Sequence, residues 1–509
     1  MSSRTSNSIK NSFFSIGCQG INTLMSFLVR FVFIKCLPID YLGLNGLFTN
    51  ILMILSLAEL GIGTAIVYSM YKPIAMNNKK KISILMRLYA KIYNVIGIVI
   101  LIIGVCLIPF LDIFIKDQPS INGLIYIYVM FLLDTVLSYF FSYKRSLITA
   151  DQKEYILSIT RSIFILIKTI LQIAMLLLTK NYFLYLCIQI VTTLCENLMI
   201  SYIVDKKYSY LKEYNGKLTR EETKEIIDNV KALFIYKFAT VFLGGIDNLV
   251  ISMKLGIIWV AKYSNYTLII NAIFNIINMF ISSITASIGN FIVLKSEQEQ
   301  ELLLERISFI VFMIFGFCST CLYCLLNPFI KIYCGDDYLL NQNVISLIII
   351  NFYIQGMMTP IWTFRTTKGL FVQGKWRPII SAAINFVLSF VLADYLGIAG
   401  IILATIIARV VTNLWFDPYI IYKKGWNKLP TSYYKKFLLY SFILFIEILT
   451  VSTVISLFDI SYLLTGFVIR TVIVLFLGFA FEIGILFFHN DKAYYIDLIK
   501  RFMIKRKTT

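Results

Sequence analysis

Apolar runs of about 20 residues recur along the whole chain between short polar stretches, and each is long enough to cross roughly 30 Å of hydrocarbon. Run length and loop punctuation predict about fourteen helical spans. They fall at roughly 11–36, 42–70, 88–111, 121–143, 155–178, 182–204, 231–253, 263–293, 305–327, 342–364, 377–396, 398–422, 434–457 and 462–488. Spans two and eight are related. Residues 45–67 align without a gap on 271–293, a shift of 226 (271 − 45), and about nine of the 23 pairs are identical. The matches include Asn45/Asn271, Phe48/Phe274, Met53/Met279, Ser56/Ser282 and Gly63/Gly289. Two unrelated apolar helices would share some Ile and Val; they would not readily share the Asn, Ser and Gly as well.

The repeat continues. With a shift of 222, the loop 150–153 falls on 372–375 and the following spans run in step. Six crossings return a chain to its starting side, so both halves enter the membrane in the same orientation, as parallel repeats about an axis along the membrane normal. The expected organisation is an N-terminal six-helix lobe (1–204), a linker (205–230), a second six-helix lobe (231–425), two additional spans (426–488) and a basic tail (489–509). In the linker, Thr219 followed by Glu222 has the spacing of a capping box opening a short amphipathic helix on the membrane surface.

Composition agrees with a membrane protein: 59% of the residues are hydrophobic and the mean hydropathy is +0.79. The net charge of +19 would suit nucleic acid, but roughly 35 of the 47 basic residues fall in loops on one predicted side and about six on the other. That asymmetry reads as topology, with both termini cytoplasmic, and not as a nucleic-acid surface. The N-terminal stretch MSSRTSNSIKNSFF lacks a small-residue cleavage site, so the first apolar run is expected to be retained.

Nothing in the pattern suggests a catalytic centre or a cofactor. The extracytoplasmic loops are short, there is no phosphate-cradling glycine loop, and no histidine lies within a span. His489, the single histidine, reads as a solvated end. Cys318, Cys321 and Cys324 are closely spaced but lack a fourth ligand, so no metal is expected there. Energy would come from a gradient or from substrate concentration.

The informative residues are polar groups inside spans, which are costly in lipid. Glu154, Arg161, Lys168 and Gln172 lie within about 40° of one another at roughly 100° per residue. Gln19, Asn22, Ser26 and Arg30 form a similar stripe on span one. Span seven carries Lys237, Thr240, Gly244 and Asn248 with Asp247 beside them, and span eight carries Asn271, Asn275, Asn278, Ser282 and Thr285. Two readings of Arg30, Arg161, Lys168 and Lys237 stand open. They line an anion-attracting cavity, since Arg forks onto phosphate oxygens and Lys supplies a point charge, or they pair with Glu59, Asp134 or Asp247 for neutrality alone. Arg161 and Lys168 align with Ala383 and Phe390, so the cationic stripe belongs to one half only, and that favours function. Glu59, Asp134 and Asp247 are candidates for a coupling cation, a proton or a counter-ion. Arg365 and Arg409 are weaker cavity candidates, and Arg470 with Glu447 or Glu482 reads as a structural pair.

The stretch LAELGIGTAIVYSMYKPIAMNNKKKI closing span two, TADQKEYI opening span five, and the two six-helix repeats resemble polysaccharide flippases of the Wzx type. These belong to the superfamily of multidrug, oligosaccharidyl-lipid and polysaccharide exporters. The resemblance covers essentially the whole chain. It implies an all-α membrane fold with two lobes in a V around a cationic central cavity, and alternating access. It also implies transfer of a polyprenyl-diphosphate-linked oligosaccharide between leaflets of a bacterial cytoplasmic membrane for surface polysaccharide. The bilayer, and the polymerase or glycosyltransferases of that synthesis, would be its partners. By position in the fold, Arg161 and Lys168 are the expected cavity cations. A cation-coupled drug exporter and a lipid-linked peptidoglycan precursor flippase are the alternatives within the fold. A membrane polymerase or glycosyltransferase is disfavoured for want of a sizeable external loop.

Overall fold

Every regular element among the described residues is a helix. The computed structural model describes residues 2–56, 62–116, 121, 123–140, 142–214, 216, 218–221, 245–370, 373–374, 376–458 and 463–505. Within these, eleven helices are long and apolar enough to cross a membrane, and a twelfth span is counted if the pair Leu124–Phe140 and Ser142–Ala150, bent by 43°, is one span. The other two expected spans fall on the shorter apolar helix Ile39–Leu55 and on a stretch mostly outside the described residues. Helix boundaries follow local chemistry. Asn78 accepts from the Lys81 amide at 3.0 Å, Asn181 from those of Phe183 and Leu184, and Ser296 with Glu299 closes a capping box. Gly397, at φ +59°, ends Arg377–Leu396 and lets Ile398–Arg409 fold straight back.

The chain divides into two compact units. The first comprises residues 1–272 and 374–412, so Arg377–Leu396 and Ile398–Arg409, placed by the sequence in the C-terminal lobe, pack with the first unit. Here Ser2–Cys36 lies along Glu154–Thr179, which packs in turn on Tyr182–Lys207, while Leu124–Phe140 is held between Lys79–Leu107 and Tyr182–Lys207. Ile39–Leu55 buries Phe48 against Tyr128 and Phe131. It ends on Ser56, and the next helix among the described residues is Ile62–Ala75.

The second unit comprises residues 273–373 and 413–509. Its axis is Glu297–Tyr333, flanked by Gln342–Met357, Thr431–Ser456 and Leu463–Phe488. Phe312 stacks on Tyr440 at 4.5 Å. Outward positions stay apolar, as at Phe476 (72% exposed) and Phe488 (92%), which is expected where the neighbour is lipid.

Candidate functional site

In the first unit, two polar contacts set the register of a parallel helix pair. Asn11 accepts from the Tyr155 amide at 2.9 Å, and Ser15 and Ser158 share a hydrogen bond of 3.3 Å. With that register, an α-helical rise of about 1.5 Å per residue places Arg161, Lys168 and Arg30 at three successive depths, each separated by roughly two turns or less. Arg161 is exposed and Lys168 is half-buried. Asp134, on Leu124–Phe140, and Glu196, on Tyr182–Lys207, act electrostatically on Lys168. Glu196 is itself paired with Arg145 at 2.8 Å, and the same guanidinium reaches Asn197 at 2.7 Å. Asp134 accepts from Gln189 at 2.7 Å through one oxygen and leaves the other buried without a partner.

Arg30 stands in the wall of a pocket of about 210 Å³ together with Ser26, Asn45, Tyr185 and apolar neighbours. Its guanidinium donates to Ser264 Oγ at 3.2 Å. Tyr185, in that wall, stacks on Tyr182 at 5.8 Å, and Phe33, also in the wall, is edge-on to both. The pocket thus offers a cation, a hydroxyl and an amide against an aromatic floor, a combination that suits an anionic group carrying sugar hydroxyls.

The remaining predicted residues divide by surroundings. Gln172 is buried, and its amide donates to the Tyr185 carbonyl at 3.3 Å, tying Glu154–Thr179 to Tyr182–Lys207. Asp247 accepts from Thr405 at 3.0 Å; Asn385 donates to the same hydroxyl at 2.7 Å, and Arg409 acts on the carboxylate from the next turn. Asn271, Asn275, Asn278 and Ser282 are all exposed along Ile257–Ser283. Arg365, by contrast, is buried in the second unit, where it pairs with Asp417 and donates to the carbonyls of Leu370 (2.9 Å) and Gln373. Trp362 donates to the other Asp417 oxygen at 3.1 Å. Arg365 is a structural clamp. Glu59, Glu222, Lys237, Thr240 and Gly244 lie outside the described residues.

Sequence reasoning missed Arg145, Glu196 and the Asn385–Thr405 pair. Glu196 carried a usable signal, a lone acid in an apolar run. Asn385 and Thr405 carried none, because each becomes notable only when Gly397 folds the two helices together.

A family model described as polysaccharide biosynthesis protein matches residues 8–288. No curated protein matches the chain in sequence. Among solved structures, the chain is similar to the lipid II flippase MurJ in an inward closed conformation, at 14% identity and a TM-score of 0.62, covering 98% of this chain and 100% of that one. It is also similar to a multidrug resistance MATE family transporter of the MOP superfamily, inward-facing, at 14% identity and a TM-score of 0.59, covering 82% and 99%. A mutant of the Vibrio cholerae MATE transporter VcmN matches at 14% identity and a TM-score of 0.54, covering 84% and 98%. At this identity the likeness establishes the fold, that of a helical multi-pass membrane protein.

Proposed function

This chain belongs to the polysaccharide biosynthesis protein family, and we propose that it is a flippase carrying a polyprenyl-diphosphate-linked oligosaccharide from the cytoplasmic to the outer leaflet of a bacterial cytoplasmic membrane. Such a headgroup cannot cross hydrocarbon bare, since each unsatisfied polar group costs several kcal/mol. The observation that carries the reading is the set of three cations, Arg161, Lys168 and Arg30, spaced in depth along one parallel helix pair, the last in the wall of a pocket. Stepped cations let a diphosphate exchange one partner for the next without being stripped of charge compensation. The exposed amides of Asn271, Asn275 and Asn278 suit sugar hydroxyls. In this reading the two repeats act as lobes that alternate access around the cargo, with both termini in the cytoplasm. Asp134 and Asp247 serve as counter-ions or as coupling sites.

The test is leaflet transfer of a fluorescent polyprenyl-diphosphate oligosaccharide in proteoliposomes containing the full chain. Wild type should transfer it, and Arg161→Ala and Lys168→Ala should each be strongly impaired at equal protein content. Unimpaired transfer by both variants would refute the cation assignment. A second reading has one observation behind it: the MurJ likeness runs over 98% of the chain, the two terminal spans included. Lipid II offered in the same assay separates the two, since preferential transfer of lipid II would make the chain a peptidoglycan precursor flippase.

A further inference from the structure

Two glutamates lie inside the second unit, on the two helices that follow the repeats. Glu447, on Thr431–Ser456, is 0% exposed, and Glu482, on Leu463–Phe488, is 6% exposed. None of their four carboxylate oxygens has a hydrogen-bond partner. Glu447 Oε1 lies 3.8 Å from the point where a side chain at Gly478 would begin, one helical turn from Glu482. Glu482 Oε1 lies 3.6 Å from the same point at Gly316, on Glu297–Tyr333. Both glycines leave room that the carboxylates occupy.

The third wall is polar too. Ser319 and Thr320 are 0% exposed; the Ser319 hydroxyl is unpartnered, and the Thr320 hydroxyl is turned toward Glu447. Cys318 feels Glu482, Cys324 feels Glu447, and Cys321 feels both. Arg470, the basic residue of Leu463–Phe488, lies eight residues before Gly478, about 12 Å along the axis from the level of Glu447, and acts on Cys324 instead. Toward the other end, Lys436 is paired with Glu305 and Arg306 with Asp491, while His489 lies about two turns beyond Glu482. Among the described residues no ion pair includes either glutamate, and no cluster of His, Cys, Asp or Glu could hold a metal ion.

Two neighbouring carboxylates in so dry a site cannot both carry charge, because desolvation and mutual repulsion act in the same direction. We propose that Glu447 and Glu482 form a proton-binding site, the two carboxyl groups holding one proton between them beside the Thr320 hydroxyl. The proton is the ligand. It enters by protonating one carboxylate and leaves by the reverse, with no bond to any other atom formed or broken. Both carboxylates lie on helices that follow the repeats, in the unit that does not contain Arg161, Lys168 and Arg30, so the site stands whether or not the cargo is a lipid-linked sugar.

Infrared spectroscopy of the full chain in nanodiscs, with glutamate isotopically labelled, reads this directly. Wild type at neutral pH should show a labelled protonated-carboxyl stretch that bleaches as the pH is raised and is lost in Glu447→Gln/Glu482→Gln. Absence of that band from wild type overturns the proposal without reference to any variant. So does a band unchanged in the double variant, which would locate the proton elsewhere. Bleaching by sodium or potassium at fixed pH overturns it as well, in favour of a metal cation.

Discussion

Phe48 and Phe274, equivalent positions of the internal repeat, each meet an aromatic ring on the fourth span of their own half. Phe48 sits edge-on to Tyr128 and Phe131 at 5.3 and 5.9 Å, and Phe274 sits edge-on to Phe352 at 6.4 Å and tilted against Phe315 at 5.8 Å. Leu124–Phe140 in the first half and Gln342–Met357 in the second are the fourth spans of their repeats, so duplication preserved a packing contact as well as a sequence pattern. Phe48 is fully buried and Phe274 only partly. Phe48→Ala should therefore lower stability by about 3 kcal/mol, the low end of the range for buried Phe, because lipid supplies less driving force for burial than water. Phe274→Ala should cost less. Thermal denaturation in detergent, followed by loss of the monodisperse chromatographic peak, ranks the two.

The Arg365–Asp417 pair gives a second prediction. Removing the guanidinium strands a carboxylate that is 0% exposed, so Arg365→Ala should cost about 3–5 kcal/mol. Arg365→Ala/Asp417→Asn should recover a good part of that loss. Arg365→Lys should not rescue fully, since one ammonium cannot serve Asp417 and the Leu370 and Gln373 carbonyls in that fixed fan. A double-mutant cycle on thermal stability measures each term.

Arg161 and Gln172 lie on one predicted stripe but should fail differently. Arg161 is exposed, so Arg161→Ala should impair transfer while leaving thermal stability within about 0.5 kcal/mol of wild type. Gln172→Ala removes a buried donor from the Tyr185 carbonyl and should cost about 1–3 kcal/mol. The pair of assays, transfer and unfolding, separates them.

A pH effect is expected at the membrane edge. His489 packs on Phe309 at 4.0 Å, and its Nδ1 accepts from the Asp491 amide at 3.0 Å. Burial pushes the imidazole below its usual range, against the opposing pull of Asp491. The unfolded chain thus binds the proton first, and this contribution to stability is present above about pH 6.5 and lost as the pH falls below it. Thermal stability measured between pH 5 and 8 should show less acid sensitivity in His489→Phe than in wild type.

The helical class, the repeat and most spans were legible because a bilayer demands long apolar runs and tolerates little else. Helix ends inside an apolar run were not. Residues 42–70 read as one span, yet the helix from Ile39 ends at Leu55, because a hydropathy window sums over a helix end without registering it. The polar stripes were legible as stripes only. Arithmetic at roughly 100° per residue groups Gln172 with Arg161, but which neighbour covers that face is decided by Tyr182–Lys207, a helix the stripe cannot see. Asp247 likewise invited pairing with a distant cation and instead meets Thr405, Asn385 and Arg409.

The helix end at Leu55 has its counterpart in the other repeat, where Ile257–Ser283 ends before Ile284. Shifted back by 226, Ser283 falls on position 57, two residues from Leu55. Two copies that have drifted to about nine identities in 23 still end a helix within two residues of the same place. The simplest history is that the half-length ancestor already carried this helix end before its gene was doubled, which makes it older than the duplicated chain.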